Sequence, residues 1–102
     1  MSHLIQILLP VCDDAGRPFD SADYERVASD LTSRFGGVTA FTRSPAEGRW
    51  RTGGETERDD IVVVEVIDPD FDRTFWKGYR AELESRFRQD VILIRAQETE
   101  II

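Results

Sequence analysis

Apolar residues recur along this chain with two different periods, and the switches between them mark out its elements. Residues 3–11 alternate, with Ile5, Ile7 and Leu9 on one side and Leu4, Gln6 and Leu8 on the other, which predicts a strand with one wholly apolar face. Residues 21–35 change to helical spacing. Tyr24, Val27, Ala28, Leu31 and Phe35 form one stripe, while Asp23, Glu25, Arg26, Asp30 and Arg34 stay off it. Asp20 is the predicted cap of this helix, with Ser21 as a competitor and Phe19 placed to staple onto Tyr24. Gly36-Gly37 ends it, because glycine accepts the left-handed conformation that often follows a last turn.

Residues 38–44 read as a second strand, with Val38 and Ala40 toward the helices and Thr39, Phe41 and Arg43 away from them. Pro45 and Gly48 then signal a turn, 49–52 a short returning strand, and 53–58 a glycine-rich mobile loop. The run 61–67, bracketed by Asp59-Asp60 and Asp68-Pro69, is the predicted central strand. Val62, Val64 and Val66 make one uniform row; Ile61, Val63, Glu65 and Ile67 carry a carboxylate within the other. A second helix is predicted over 71–88, with Phe75, Trp76, Tyr79, Leu83 and Phe87 as its stripe. Gly78 inside it costs about 1 kcal/mol against alanine, which is expected to mark a close contact. The last strand is predicted over 91–97, with Ile92, Ile94 and Ala96 opposed to Val91, Leu93, Arg95 and Gln97.

Two strand–helix–strand units with right-handed crossovers most simply interleave as an α+β, ferredoxin-like βαββαβ sandwich. The expected form is a four-stranded antiparallel sheet with both helices on one face, plus a short extra hairpin. Its open face would gather Leu4, Gln6, Leu8, Ile61, Val63, Glu65, Ile67, Leu93 and Arg95, with Phe41 and Arg43 beside them and Trp50 nearby. That face is too apolar to be left in water, and a second copy of the chain is its expected cover, giving a homodimer.

A length of 102 residues suits one domain spanning 1–102, and 40% apolar with 32% charged residues indicates a packed core under a solvated surface. Thirteen basic residues against 20 acidic ones leave a formal charge of −7, which argues against nucleic acid and against anionic membranes as partners. RNA-binding sheets of this topology also show aromatics where this one offers Leu, Gln, Ile, Val and Glu. Cys12 is the single cysteine, so no intrachain disulfide can form. The first residues have neither a basic start nor a long apolar run, so neither signal peptide nor anchor is read there, and a cytoplasmic location is expected. No Walker motif, dinucleotide fingerprint or cysteine pair is present, and no cofactor is expected. No metal site is expected either. His3 is the single histidine, and Asp68-x-Asp70-x-Asp72 has Arg73 where a calcium loop needs glycine and Tyr79 where it needs glutamate.

The candidate chemistry lies on the open face. Gln6, Glu65, Arg95 and Arg43 are polar residues among apolar neighbours, and a buried carboxylate calls for a forked arginine partner. They read either as a polar cluster that binds a small organic acid, with Phe41 beside it, or as a structural ion pair inside a dimer interface. Trp50, between Arg49 and Arg51, reads as a lid over a ligand or as an aromatic plug. An enzymatic alternative is a cofactor-free oxygenase or isomerase acting on a small aromatic or carbonyl compound. Glu65 or His3 would be its base, Arg95 and Arg43 its anion clamps and Trp50 its lid.

The stretches Arg34-Phe35-Gly36-Gly37-Val38-Thr39, Gly48-Arg49-Trp50, Gly54-Glu55, Tyr79, Arg86-Phe87 and Gln89-Asp90-Val91-Ile92-Leu93 together resemble a family of small, uncharacterised bacterial ferredoxin-like proteins, a domain of unknown function. The resemblance covers about residues 35–95 and implies the fold without an activity. A more distant likeness is to dimeric α/β-barrel proteins, in which two such sheets pack face to face and some members hold small ligands.

Overall fold

The computed structural model describes residues 2–37, 40–52 and 55–102, and for 40–52 and 55–60 the description is of backbone path and pairing. The elements run β1 (Ser2–Pro10), α1 (Ser21–Phe35), β2 (Ala40–Thr52), β3 (Glu55–Asp68), α2 (Arg73–Arg86) and β4 (Leu93–Thr99). The strands lie in the order β2-β3-β1-β4, and every neighbouring pair is antiparallel.

The alternation in β1 and β3 decides where the core sits. Ile5, Ile7 and Leu9 from β1 and Val62, Val64 and Val66 from β3 are all buried, and the register places Ile5 opposite Val66, Ile7 opposite Val64 and Leu9 opposite Val62. These six residues form one cluster with Val27 and Leu31 of α1 and with Trp76, Tyr79 and Leu83 of α2. Both helices therefore cover the same face of the sheet, as side chains two apart on a strand require.

The helix ends follow local chemistry. α1 stops at Gly36, whose φ of 83° lies in the left-handed region and whose N–H donates to the Thr32 carbonyl. At its start Asp20 occupies the N-cap position as expected, with extended backbone, but its side chain makes no capping hydrogen bond. Phe19 and Tyr24 instead both pack against Phe87, at ring separations of 5.0 and 5.7 Å. The Tyr24 hydroxyl donates to the Pro10 carbonyl at 2.6 Å and so ties α1 to the end of β1. α2 is capped by Asp72, which accepts the Phe75 N–H at 3.2 Å.

The expected fold is corrected around its hairpin. There is no short extra hairpin beside a ferredoxin-like core: residues 40–52 form one strand, residues 55–68 another, and they pair as a single long ribbon. The ladder shifts register between Ala46 and Trp50, where residues 47–49 stand against Arg58 alone. Pro45 and Gly48 look like a turn in sequence. They are accommodated because β2 is an edge strand carrying this irregularity, the setting in which sheets tolerate such residues. The mobile loop expected over 53–58 is corrected likewise, since Glu55, Thr56 and Glu57 pair with Thr52, Arg51 and Trp50. Val38, Thr39, Gly53 and Gly54 lie outside the described residues. β4 starts two residues later than predicted, leaving Val91 75% exposed. Gly78 marks no close contact, because a Cβ built there meets nothing within 4 Å. Among the described residues, no helix is long and apolar enough to cross a membrane.

Candidate functional site

The uncovered face of the sheet carries a transverse polar row. Gln6 of β1 pairs with Glu65 of β3 on one side and with Arg95 of β4 on the other. Residues directly opposite in an antiparallel pair point to the same face, so the three share it. The Gln6 Nε2 donates to Glu65 Oε2 at 3.3 Å, and no carboxylate among the described residues pairs with Arg95. Apolar pairs flank the row. Leu8 stands between Val63 and Leu93 on one side of it, and Leu4 stands beside Ile67 on the other. Leu4, Leu8, Val63 and Ile67 are half-buried, whereas Leu93 is 49% exposed.

The other site residues read from sequence fall elsewhere. Phe41 pairs with Val64 and Arg43 with Val62, so by register they stand in line with the helix-side row and not with Glu65. Trp50 pairs with Glu57, far along the ribbon from the polar row, and its side chain lies outside the described residues. His3 occupies an odd position of β1, the parity of Ile5 and Ile7, and stacks on Phe71 with ring centroids 4.5 Å apart. Glu65 and His3 therefore lie on opposite faces of the sheet and cannot serve one pocket.

Two of the three carboxylates that imitate a calcium loop, Asp68 and Asp72, have separate structural uses. Asp68 is buried and accepts the Trp76 indole N–H at 2.8 Å and the Asp70 N–H at 3.1 Å. Asp72 is the helix cap. Between the helices, Asp30 accepts from the Tyr79 hydroxyl at 3.1 Å and from Arg86 at 2.7 Å, and Arg86 also reaches Glu82 at 2.9 Å. Burial, then the Asp30 charge and hydrogen bond, push the Tyr79 phenol well above its usual pKa. Burial opposes the Arg86 charge, but the Asp30 hydrogen bond and charge carry its pKa upward.

The sequence reading missed a groove on the helix side of the sheet, where the start of α2 crosses β1 and β4. It encloses about 350 Å³ and is walled by His3 and Phe71, by Arg73, Lys77 and Arg80 of α2, and by Glu98 of β4, with Ile5, Trp76, Ile94 and Ala96 at its base. The signal for it is a spacing of four and then three between Arg73, Lys77 and Arg80, which places the three cations along one side of the helix.

No protein-family profile and no curated protein matches this chain. A solved structure described as a phage SAM lyase in complex with S-methyl-5'-thioadenosine is similar to it, with a TM-score of 0.65 and 16% identity over 95% of this chain and 81% of that one. At that identity the likeness is one of fold.

Proposed function

We propose that this small α+β protein works as a homodimer, assembled through its open sheet face around the Gln6, Glu65 and Arg95 row. The observation that carries the proposal is the charge pattern of that row. Glu65 and Arg95 lie on either side of β1, two strand spacings or roughly 10 Å apart. A two-fold axis running parallel to β1 above Gln6 turns a second copy over and sets its Arg95 above this Glu65, and its Glu65 above this Arg95. The row is thus complementary to itself, as a two-fold interface demands. Leu4, Leu8, Val63, Ile67 and Leu93 supply the apolar contact around it, and the charges select the orientation more than they add affinity. A role in holding a small ligand fits the same architecture, since a solved protein of this fold carries a nucleoside derivative. Fold alone does not transfer that ligand.

The test is absolute mass by light scattering at low micromolar concentration, with circular dichroism to check folding. The wild type is expected near twice 11.7 kDa. Glu65→Arg and Arg95→Glu alone each oppose like charges and dissociate the pair, and the double variant restores both the complementarity and the mass. A wild type at 11.7 kDa, or a double variant that stays dissociated, sinks the arrangement.

A further inference from the structure

We infer that the groove between α2 and the β1–β4 side of the sheet is a binding site for a small flat aromatic anion, a nucleoside monophosphate or a compound of that build. Its residues are distinct from those of the open face, so it stands or falls independently of the dimer.

Three observations converge on it. The first is charge. In a chain of formal charge −7, Arg73, Lys77 and Arg80 line one cavity, and none of them pairs with a carboxylate among the described residues. Other arginines are engaged: Arg34 with Asp72, Arg86 with Asp30 and Glu82, and Arg88 with Asp13. Unpaired cations gathered against the net charge of a protein, over low-dielectric walls, attract an anion to that place. The second is shape. The cavity of about 350 Å³ falls within the range of roughly 300–1,000 Å³ usual for small-molecule sites. One wall is the His3–Phe71 stack, with 19° between the ring planes; the Arg73 guanidinium already lies over Phe71, 5.3 Å from its centroid, so the His3 end is where another flat ring can be laid. The third is unspent hydrogen bonding. His3 Nδ1 has no hydrogen-bond partner and is shielded from solvent, so a ligand with a polar ring edge would satisfy it only with a small shift of the imidazole toward the groove. Trp76, by contrast, spends its indole N–H on Asp68 and serves as apolar floor.

Glu98 refines the class. It belongs to β4 and pairs with His3 across the ladder, so it brings a carboxylate to the side of the cavity opposite the helix. A ligand that is anionic throughout would meet repulsion there. One with an anionic group at α2 and hydroxyl or amino donors toward β4 would be matched at both ends, which is the layout of a nucleotide and not of inorganic phosphate.

The experiment is a titration of the whole chain followed by proton–nitrogen and methyl NMR, with 5'-AMP as probe and adenosine and inorganic phosphate as its two halves. 5'-AMP is expected to shift the resonances of His3, Phe71, Lys77 and Ile94 and to saturate at millimolar concentration or below. Each half alone should bind at least roughly tenfold more weakly. Lys77 and Arg80 are exposed, and the double charge reversal Lys77→Glu, Arg80→Glu is expected to abolish saturation while the dispersed spectrum remains. The exposed pair Arg17→Glu, Arg26→Glu, outside the groove, makes the same change of −4 and controls for net charge. Adenosine binding as well as 5'-AMP, shifts that map elsewhere, unchanged affinity in the double variant, or no saturation would each overturn the assignment.

Discussion

Asp68 is the buried charged residue of the described core, at 3% exposure, and its replacement by alanine gives a sharp test of how the site end of the molecule is held. Its two oxygens are both in use, one on the indole N–H of Trp76 at 2.8 Å and one on the Asp70 N–H at 3.1 Å. A hydrogen bond to a charged group contributes roughly 1.5–3 kcal/mol net, and a buried donor stripped of its acceptor costs a comparable amount that overlaps with it. Against this stands the desolvation of the carboxylate, which the variant removes. The net expectation for Asp68→Ala is a loss of about 2–4 kcal/mol. In a domain of this length that lowers Tm by roughly 10–25 °C. Trp76→Phe removes the same bond from the other side, and a double-mutant cycle isolates it, with an expected coupling of about 1.5–3 kcal/mol. Urea unfolding followed by circular dichroism reads all four proteins on one scale. An Asp68→Ala loss below about 0.5 kcal/mol, or strictly additive variants, would show that the indole–carboxylate bond does not anchor β3 to α2 and that the reasoning is wrong.

Three further outcomes follow from the same coordinates. Tyr79 has a raised pKa in the fold, so its contribution is complete below the ordinary tyrosine value near 10 and is lost as pH climbs toward the folded value. Stability measured by urea unfolding should therefore fall above pH 10, and Tyr79→Phe should flatten that alkaline decline; an unchanged slope refutes it. The two glycines bearing on helix geometry should respond with opposite sign. Gly36→Ala forces a side chain onto a φ of 83° and should cost about 1 kcal/mol, whereas Gly78→Ala meets open space within α2 and should add about that much, both read from denaturation midpoints.

How much of this was legible in the sequence depends on whether a feature belongs to one element or to two. The buried rows of β1 and β3 and the stripe through Trp76, Tyr79, Leu83 and Phe87 repeat within single segments, so periodicity alone exposes them. The Gln6, Glu65 and Arg95 row was also legible, since each residue interrupts or flanks an apolar row at the middle of its own strand. The groove was not. Arg73, Lys77 and Arg80 look like the solvated side of an ordinary helix until β4 brings Glu98 beside His3 and closes a wall against them.

Phe41 and Arg43 show the same limit in its sharpest form. A strand has a period of two, so a one-residue change of register moves its whole pattern to the other face of the sheet. In β1 and β3 a continuous apolar row leaves no doubt about which face is inward. Residues 38–44 contain no such row: Val38, Ala40 and Phe41 are apolar, and Thr39, Thr42 and Arg43 interrupt both parities. The pairing of Phe41 with Val64 and Arg43 with Val62 is fixed by the hairpin ladder; the three-against-one irregularity before Trp50 shifts the register by two, which changes partners and not faces, so the face is set by the ladder and by no property of the segment itself. Arg95 is therefore left without a second arginine in its row, and the row keeps one positive and one negative end, the condition on which the proposed two-fold pairing rests.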